Sequence, residues 1–528
     1  MEHIKIFNSV NEKDNFIDAS SFKYDIVGLV KNVEGVVYNP PEEIINSYVV
    51  SNVRYDASVP FDSTENVITW DYNLDKTTRS GKHIVTAGTK TYNIEYKVNI
   101  TSNNKSYNGT IEDENNVQIP YSFTQGTGIS DYLTFLALED GTFSFSGKSG
   151  NTSIEYSLDN GSSWSTLTSG SSTPTVHQGE KILWRGELTV YQESLGTQGV
   201  GKFGSTNKFD VKGNIMSILY GDNFANQKSL SGKDYAFIYL FQSCNIVNSK
   251  GLILPATTLS EECYAGMFQG CSFLETVPQL PAMSVPANCY RGMFATCTSL
   301  ETVPTDLLPA TNITGSYAYS SMFYNCTSLK NVPNLPMTNV NGGGWYGAYY
   351  QMFEGCESLT EVPENLLPAT TLGFRCYNNM FRKCKSLVNA PKLQATTLRS
   401  QCYLNMFAGC TSLKTAPELP ATTLQDLCYG DMFAGCTSLE KAPELPATTL
   451  AWECYMGMFN GCSSLNYIKA MFTTEPSDTC TSSSPCYTYE WVKGVSIDGT
   501  FVKNSAATWN LSGKSGIPNG WTIETASS

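Results

Sequence analysis

Cys428-Tyr429-Gly-Asp-Met432-Phe433-Ala-Gly-Cys436-Thr-Ser-Leu439, followed by Pro443 and Leu445-Pro446-Ala-Thr-Thr-Leu450, is the stretch that decides how this chain is read. Variants of it recur over residues 232–472. The Met of Met-Phe falls at 267, 293, 322, 352, 380, 406, 432 and 458, a period of 26 residues that stretches to 28, 29 and 30. Leu240-Phe241 with Cys244 adds a degenerate early copy, making nine. A period of this length marks units too small to bury an apolar side alone, which gain a core by stacking on one another. A solenoid is expected over residues 232–472.

Within one unit the apolar residues Cys428, Tyr429, Met432, Phe433 and Cys436 lie at i, i+1, i+4, i+5 and i+8. That spacing predicts a helical stripe of about two turns. Leu439 to Pro443 is expected to be extended, because a residue before proline is pushed out of the α region. Leu445 to Leu450 continues non-helical. The inward set is then Cys428, Met432, Phe433, Cys436, Leu439, Ala442, Leu445 and Leu450.

Seventeen cysteines would ordinarily suggest a secreted disulfide scaffold. The repeat argues otherwise. Pairs eight apart occur at 263/271, 289/297, 376/384, 402/410, 428/436 and 454/462, but three copies carry Ala236, Ala318 and Ala348 in the first place while Cys244, Cys326 and Cys356 remain. A bridge would strand its partner there, and a metal site would lose a ligand. A small buried thiol tolerates Ala, so buried free thiols and folding in a reducing cytoplasm are expected.

Outward from the repeat, residues 1–48 read as an N-terminal attachment or docking segment, with a short helix over Asn11–Phe22 and strands at 24–30 and 33–38. It is either a leading hairpin of the next domain or an anchor into a larger complex. Residues 49–127 alternate as strands do, with Tyr92, Ile94, Tyr96, Val98 and Ile100 on one face. Asn108-Gly109 supplies a hairpin turn, and an immunoglobulin-like β domain is expected. Residues 128–231 read as a second β domain and solenoid N-cap, with a type I′ turn at Asp159-Asn160-Gly161. Residues 473–528, carrying Trp491, Trp509 and Trp521, read as the C-terminal cap.

The Phe-x-x-Cys-x-Ser-Leu core, seen as Phe294-Ala-Thr-Cys297-Thr-Ser-Leu300 and Phe407-Ala-Gly-Cys410-Thr-Ser-Leu413, resembles the BspA-like branch of leucine-rich repeats. The likeness covers about 240 residues. Tyr132-Leu-Thr-Phe135, Leu138 to Phe145 and Gly213 to Asp222 are similar to stretches in virion proteins of crAss-like phages that infect Bacteroides-type bacteria. Tyr24-Asp-Ile-Val-Gly28 through Val37-Tyr-Asn-Pro40 looks like the attachment end of phage fibre or head-decoration proteins. The fold class implied is mainly β with short helices: N-terminal β-sandwich-like domains, then a leucine-rich-repeat-like solenoid with caps.

Chemistry finds little foothold. The three histidines are at 3, 83 and 177, outside the repeats, so a His-based triad or a His-containing zinc site inside the solenoid is excluded. No phosphate-binding Gly-rich loop and no His-Glu-x-x-His occur. The chain is expected not to be an enzyme and to need no cofactor or metal. With 34 basic and 48 acidic residues the net charge is -14, and no Lys/Arg cluster offers the counterion release that a nucleic acid partner rewards. No apolar run reaches the roughly 18 residues of a membrane span. The first residues lack a basic start followed by an apolar run, so no secretory leader is expected.

Binding is the better expectation. The insertion Asn339-Val-Asn-Gly-Gly-Gly-Trp345-Tyr346-Gly-Ala-Tyr349-Tyr350 interrupts the period, and solenoid insertions commonly land on one face. Trp345, Tyr346 and Tyr350, with Trp452 four units on, form the candidate binding surface; the alternative is that they pack onto neighbouring repeats. The resemblance implies a structural and adhesion component of a phage virion, a tail fibre, head fibre or decoration protein assembled in the bacterial host cytoplasm. Its partners would be other virion proteins, reached through the N-terminal segment, and a host surface glycan or protein, with an oligomer as the expected state. A bacterial cell-surface adhesin is the alternative, and a carbohydrate-processing enzyme a distant third.

Overall fold

The computed structural model describes residues 5–8, 48–51, 67–71, 78–87, 90–100, 104–112, 118–126, 131–148, 150–191, 199–340, 347–476 and 486–526; before residue 131 it describes backbone pairing only. Nearly all of the expected docking segment, including the Asn11–Phe22 helix and the strands at 24–38, lies outside the described residues. The chain divides into two compact units, Met1–Asp131 with Lys212–Asn214, and Tyr132–Val211 with Ile215–Ser528.

In the first unit β1 (Lys5–Asn8), β2 (Tyr48–Ser51), β3 (Val67–Asp71), β4 (Thr78–Ala87), β5 (Lys90–Ile100), β6 (Asn104–Glu112) and β7 (Gln118–Gly126) form one sheet in the order β1-β3-β4-β5-β6-β7-β2. The second layer of an immunoglobulin-like sandwich is not among the described residues. Asn108-Gly109 is not a turn. It sits inside β6, where Asn108 is in register with Lys97 and Ser122, and Gly109 with Tyr96 and Tyr121. A local turn propensity is overridden because pairing on both sides satisfies the backbone of the whole strand.

In the second unit β8 (Leu133–Ala137), β9 (Phe143–Gly147), β10 (Ser153–Ser157), β11 (Ser165–Thr168), β12 (Lys181–Arg185), β13 (Gly201–Ser205), β14 (Phe209–Asn214) and β15 (Leu252–Ile253) make two sheets. One runs β11-β10-β12-β8-β14-β15 and the other pairs β9 with β13. Phe135, Phe143, Phe145, Trp184, Phe203 and Phe209 fill the space between them. The expected turn at Asp159-Asn160-Gly161 has φ of 56° at Asn160 and 87° at Gly161, the left-handed pair a type I′ turn requires. Helix α1 (Ser217–Tyr220) is the one α-helix among the described residues, so the fold is mainly strand and turn.

The predicted helical stripe is therefore corrected. Residues 425–436 form overlapping turns whose N–H groups divide into two sets. Those of Cys428, Gly430, Met432, Ala434 and Cys436 donate three residues back, to the carbonyls of Gln425, Leu427, Tyr429, Asp431 and Phe433. Those of Tyr429, Asp431, Phe433 and Gly435 donate to Cys454, Met456, Met458 and Asn460 of the following copy. From Leu427, whose N–H donates to Trp452, to Cys436 every donor is satisfied, half locally and half by the neighbour. Leu427, Asp431 and Gly435 take φ of 54°, 48° and 74°, as every second turn needs a left-handed residue at its third place. The same pattern repeats from Tyr235 to Gly461.

Four residues per turn pair returns Cys428-Tyr429, Met432-Phe433 and Cys436 to one side, which is why the spacing imitates a helix. All of the expected inward set is buried except Leu450, which is half-buried. Tyr429 is buried as well. Stacked copies turn these residues into columns. Phe241 to Phe459 stack with centroids 5.4–5.8 Å apart, and Tyr264 to Tyr455 at 5.7–6.1 Å. Phe203 of β13 carries the Phe column into the N-terminal sheets, 5.7 Å from Phe241. At the far end Tyr455, Gly457, Phe459 and Gly461 donate to Tyr487, Tyr489, Trp491 and Lys493, so a tenth, degenerate copy follows the nine. Trp491, Trp509 and Trp521 are buried there, their indole N–H groups donating to the carbonyls of Gly516, Phe472 and Ser496.

Fifteen cysteines are free and buried; Cys486, after the array, is disulfide-bonded. The two array positions differ. The second thiol donates to the carbonyl of the previous copy's Phe, at 3.1 Å from Cys436 to Phe407 and 3.0–3.2 Å elsewhere from Cys244 to Cys462. Among the described residues the first thiol makes no such donation, and this is the place that accepts Ala. Cys436→Ala is expected to cost about 0.5–1 kcal/mol more than Cys428→Ala, the net worth of one weak hydrogen bond. Parallel urea denaturation of the two variants measures it, and equal costs would remove the thiol–carbonyl bond from the account.

Candidate binding face

Between the inward pairs of each copy lie two outward positions, those of Asp431 and Ala434. The first is Tyr239, Gly266, Gly292, Ser321, Gln351, Asn379, Asn405, Asp431 and Gly457 in successive copies; the second is Gln242, Gln269, Ala295, Tyr324, Glu354, Arg382, Ala408, Ala434 and Asn460. The inner columns barely change while these do. Stacking places them side by side, so one face displays a different pair of residues at every copy.

Two hydrogen-bonded chains run across copies on that face. Lys202 Nζ donates to Gln242 Oε1 and Gln242 Nε2 to Gln269 Oε1, each at 3.2 Å. Further on, Ser321 Oγ donates to Gln351 Oε1 at 3.4 Å, and both Gln351 Nε2 and Arg382 Nη1 reach the Glu354 carboxylate at 2.8 Å. Glu354 is buried, and these two donors satisfy it. Between the chains lies a groove of about 240 Å³ floored by Ala265, Gly266, Gly292 and Ala295. Tyr239 and Tyr324 line its ends, and Glu262 and Arg291 reach it from neighbouring copies. The Tyr239 ring lies over Gly266, where a Cβ would overlap it. Burial pushes the Glu262 carboxyl above its ordinary range, with Arg291 pulling the other way.

Of the residues singled out from the sequence, two are among the described residues. Trp345 and Tyr346 lie outside the described residues. Tyr350 is half-buried, its ring edge-on to Tyr317 at 6.1 Å. Trp452 is 46% exposed and shares its place in the repeat with Phe374, over which the Arg375 guanidinium sits at 5.0 Å. Tyr239, Tyr324, Glu262 and Arg291 were missed. What would have found them is Gly266, Gly292 and Ala295 falling at the two varying positions of successive copies, beside Tyr239 and Tyr324.

The inner thiols are poor nucleophiles, since burial pushes Cys244, Cys326, Cys376, Cys428 and Cys462 up to about 12. Among the described residues no group of His, Cys, Asp and Glu is arranged to hold a metal ion, and no helix is long and apolar enough to cross a membrane. No family model, curated protein or solved structure matches the chain.

One outward group is held at a cost. Burial raises the Asp431 carboxyl above its ordinary 3.8, with Arg382 offsetting only part of the effect. A carboxyl raised on folding binds its proton more readily in the folded state, so its penalty is full at neutral pH and fades as pH falls through the raised value. Asp431→Asn, the residue found at 379 and 405, is expected to raise the melting temperature at neutral pH, by less as pH drops towards 3.8. Melting curves across that range check it; a gain independent of pH would assign the effect to backbone conformation instead.

Proposed function

We propose that the chain is a non-enzymatic structural and adhesion component of a phage virion, a tail fibre, head fibre or decoration protein. In this reading the array is a BspA-like, leucine-rich-repeat-like solenoid that holds a binding face, and the N-terminal segment joins it to other virion proteins. The observation that carries the proposal is the division of labour within each copy. Inner columns of Tyr, Met, Phe and Cys repeat almost unchanged, whereas the outward positions differ at each copy. A scaffold that keeps its core and varies its face suits recognition of an extended partner. The fifteen free buried thiols support folding in a reducing host cytoplasm before release in the particle.

A bacterial cell-surface adhesin is the second reading, favoured by the disulfide at Cys486, since such bonds persist in oxidising surroundings. Immunogold electron microscopy and mass spectrometry of purified particles, beside fractionated host envelopes, separate the two. The virion reading expects the protein at a fixed site on every particle. Its absence from particles and presence in envelopes would replace that reading with the second.

A further inference from the structure

The groove over the first copies of the array combines features that the rest of the face does not. Tyr239 is 40% exposed although the Cδ1–Cε1 edge of its ring lies where a Cβ at Gly266 would sit, so the backbone there holds the ring while part of it meets solvent. A supported aromatic plane of this kind loses little freedom when something stacks on it. The floor carries no side chain larger than Ala, so a flat ligand can lie along it. Glu262 and Arg291 make no ion pair and no side-chain hydrogen bond among the described residues, which leaves a carboxylate and a guanidinium open to a ligand. Gln269 is already oriented by Gln242 at 3.2 Å and keeps its own amide N–H groups for donation.

An apolar plane beside adjacent acceptors and donors matches the two sides of a pyranose, whose C–H face stacks and whose neighbouring hydroxyls both donate and accept. We infer that this groove binds a short neutral saccharide, stacked on Tyr239 and held through its hydroxyls by Glu262, Arg291 and Gln269. The inference rests on the adhesion reading and names its ligand class. A net charge of -14 and the Glu262 carboxylate lining the groove select against acidic sugars. At about 240 Å³ the space suits one end of a glycan, below the roughly 300–1,000 Å³ of pockets that enclose a drug-sized ligand.

The test is binding of the full chain to immobilised neutral di- to tetrasaccharides (gluco-, manno- and galacto-series), with uronic-acid and sialylated oligosaccharides alongside. The expected result is neutral binders, with affinity reduced about tenfold or more by Tyr239→Ala. Glu262→Gln should weaken the same binders without lowering the melting temperature, which keeps the test valid should Tyr239→Ala fold poorly. Neutral binding that survives both substitutions overturns the groove but leaves adhesion standing. Binding restricted to acidic sugars, or none at all, overturns the inference, whereas the location of the protein on particles is decided separately.

Discussion

Everything in the array follows from how its backbone N–H groups are shared. An isolated run of turns leaves half of its donors empty, and an isolated copy is therefore unstable however apolar its inner side. Supplying those donors from the carbonyls of the next copy makes stacking obligatory. It also sets the register, because the partner carbonyl lies one repeat period further on, and only in-register stacking brings Phe onto Phe and Tyr onto Tyr.

That sharing carries a conformational cost, and the composition of the repeat reflects how the cost is met. A left-handed residue is needed every fourth place, and an ordinary side chain there costs of order 1–3 kcal/mol. Gly266, Gly270, Gly457 and Gly461 avoid it, while Asn379 and Asn405 lessen it. Leu427 and Glu453 accept it. The strain is borne by packing on the other side, where burial of a Phe contributes about 1.5–3 kcal/mol and a stacked pair about 0.5–1.5 more. The same left-handed residues reach the outer surface, so the positions that close the turns also shape the groove beneath Tyr239.

Much of this was legible before the fold was known. The period, the inward columns and the unbridged thiols of the array are written in the positions of Met-Phe and in the Cys/Ala exchange at 236, 318 and 348. The local conformation was misread because i, i+1, i+4, i+5 and i+8 fits an α-helix and a four-residue turn spiral equally well over so short a run. Glycines and asparagines returning every fourth residue were the cue for turns. Asn108-Gly109 was misread for the opposite reason, as a strong local turn signal with long strands on either side. The entry of Phe203 into the Phe column, and the tenth copy around Trp491, had no motif to announce them. Both arise from an end copy completing its hydrogen bonds with whatever chain lies next to it. The aromatic insertion at Trp345 drew attention by composition, whereas the groove depends on what is missing at Gly266 and Gly292.

A scaffold of this kind separates stability from recognition: changes on the outer positions leave the shared hydrogen bonds intact. The claim beneath all of this is tested most directly by residue-resolved hydrogen exchange across 425–436 in the native chain. The account predicts that Tyr429, Asp431, Phe433 and Gly435 exchange as slowly as Cys428, Gly430, Met432 and Ala434, since both sets are bonded. Fast exchange confined to the first set would mean that neighbouring copies do not share their backbone bonds, and the stacked array would have to be abandoned.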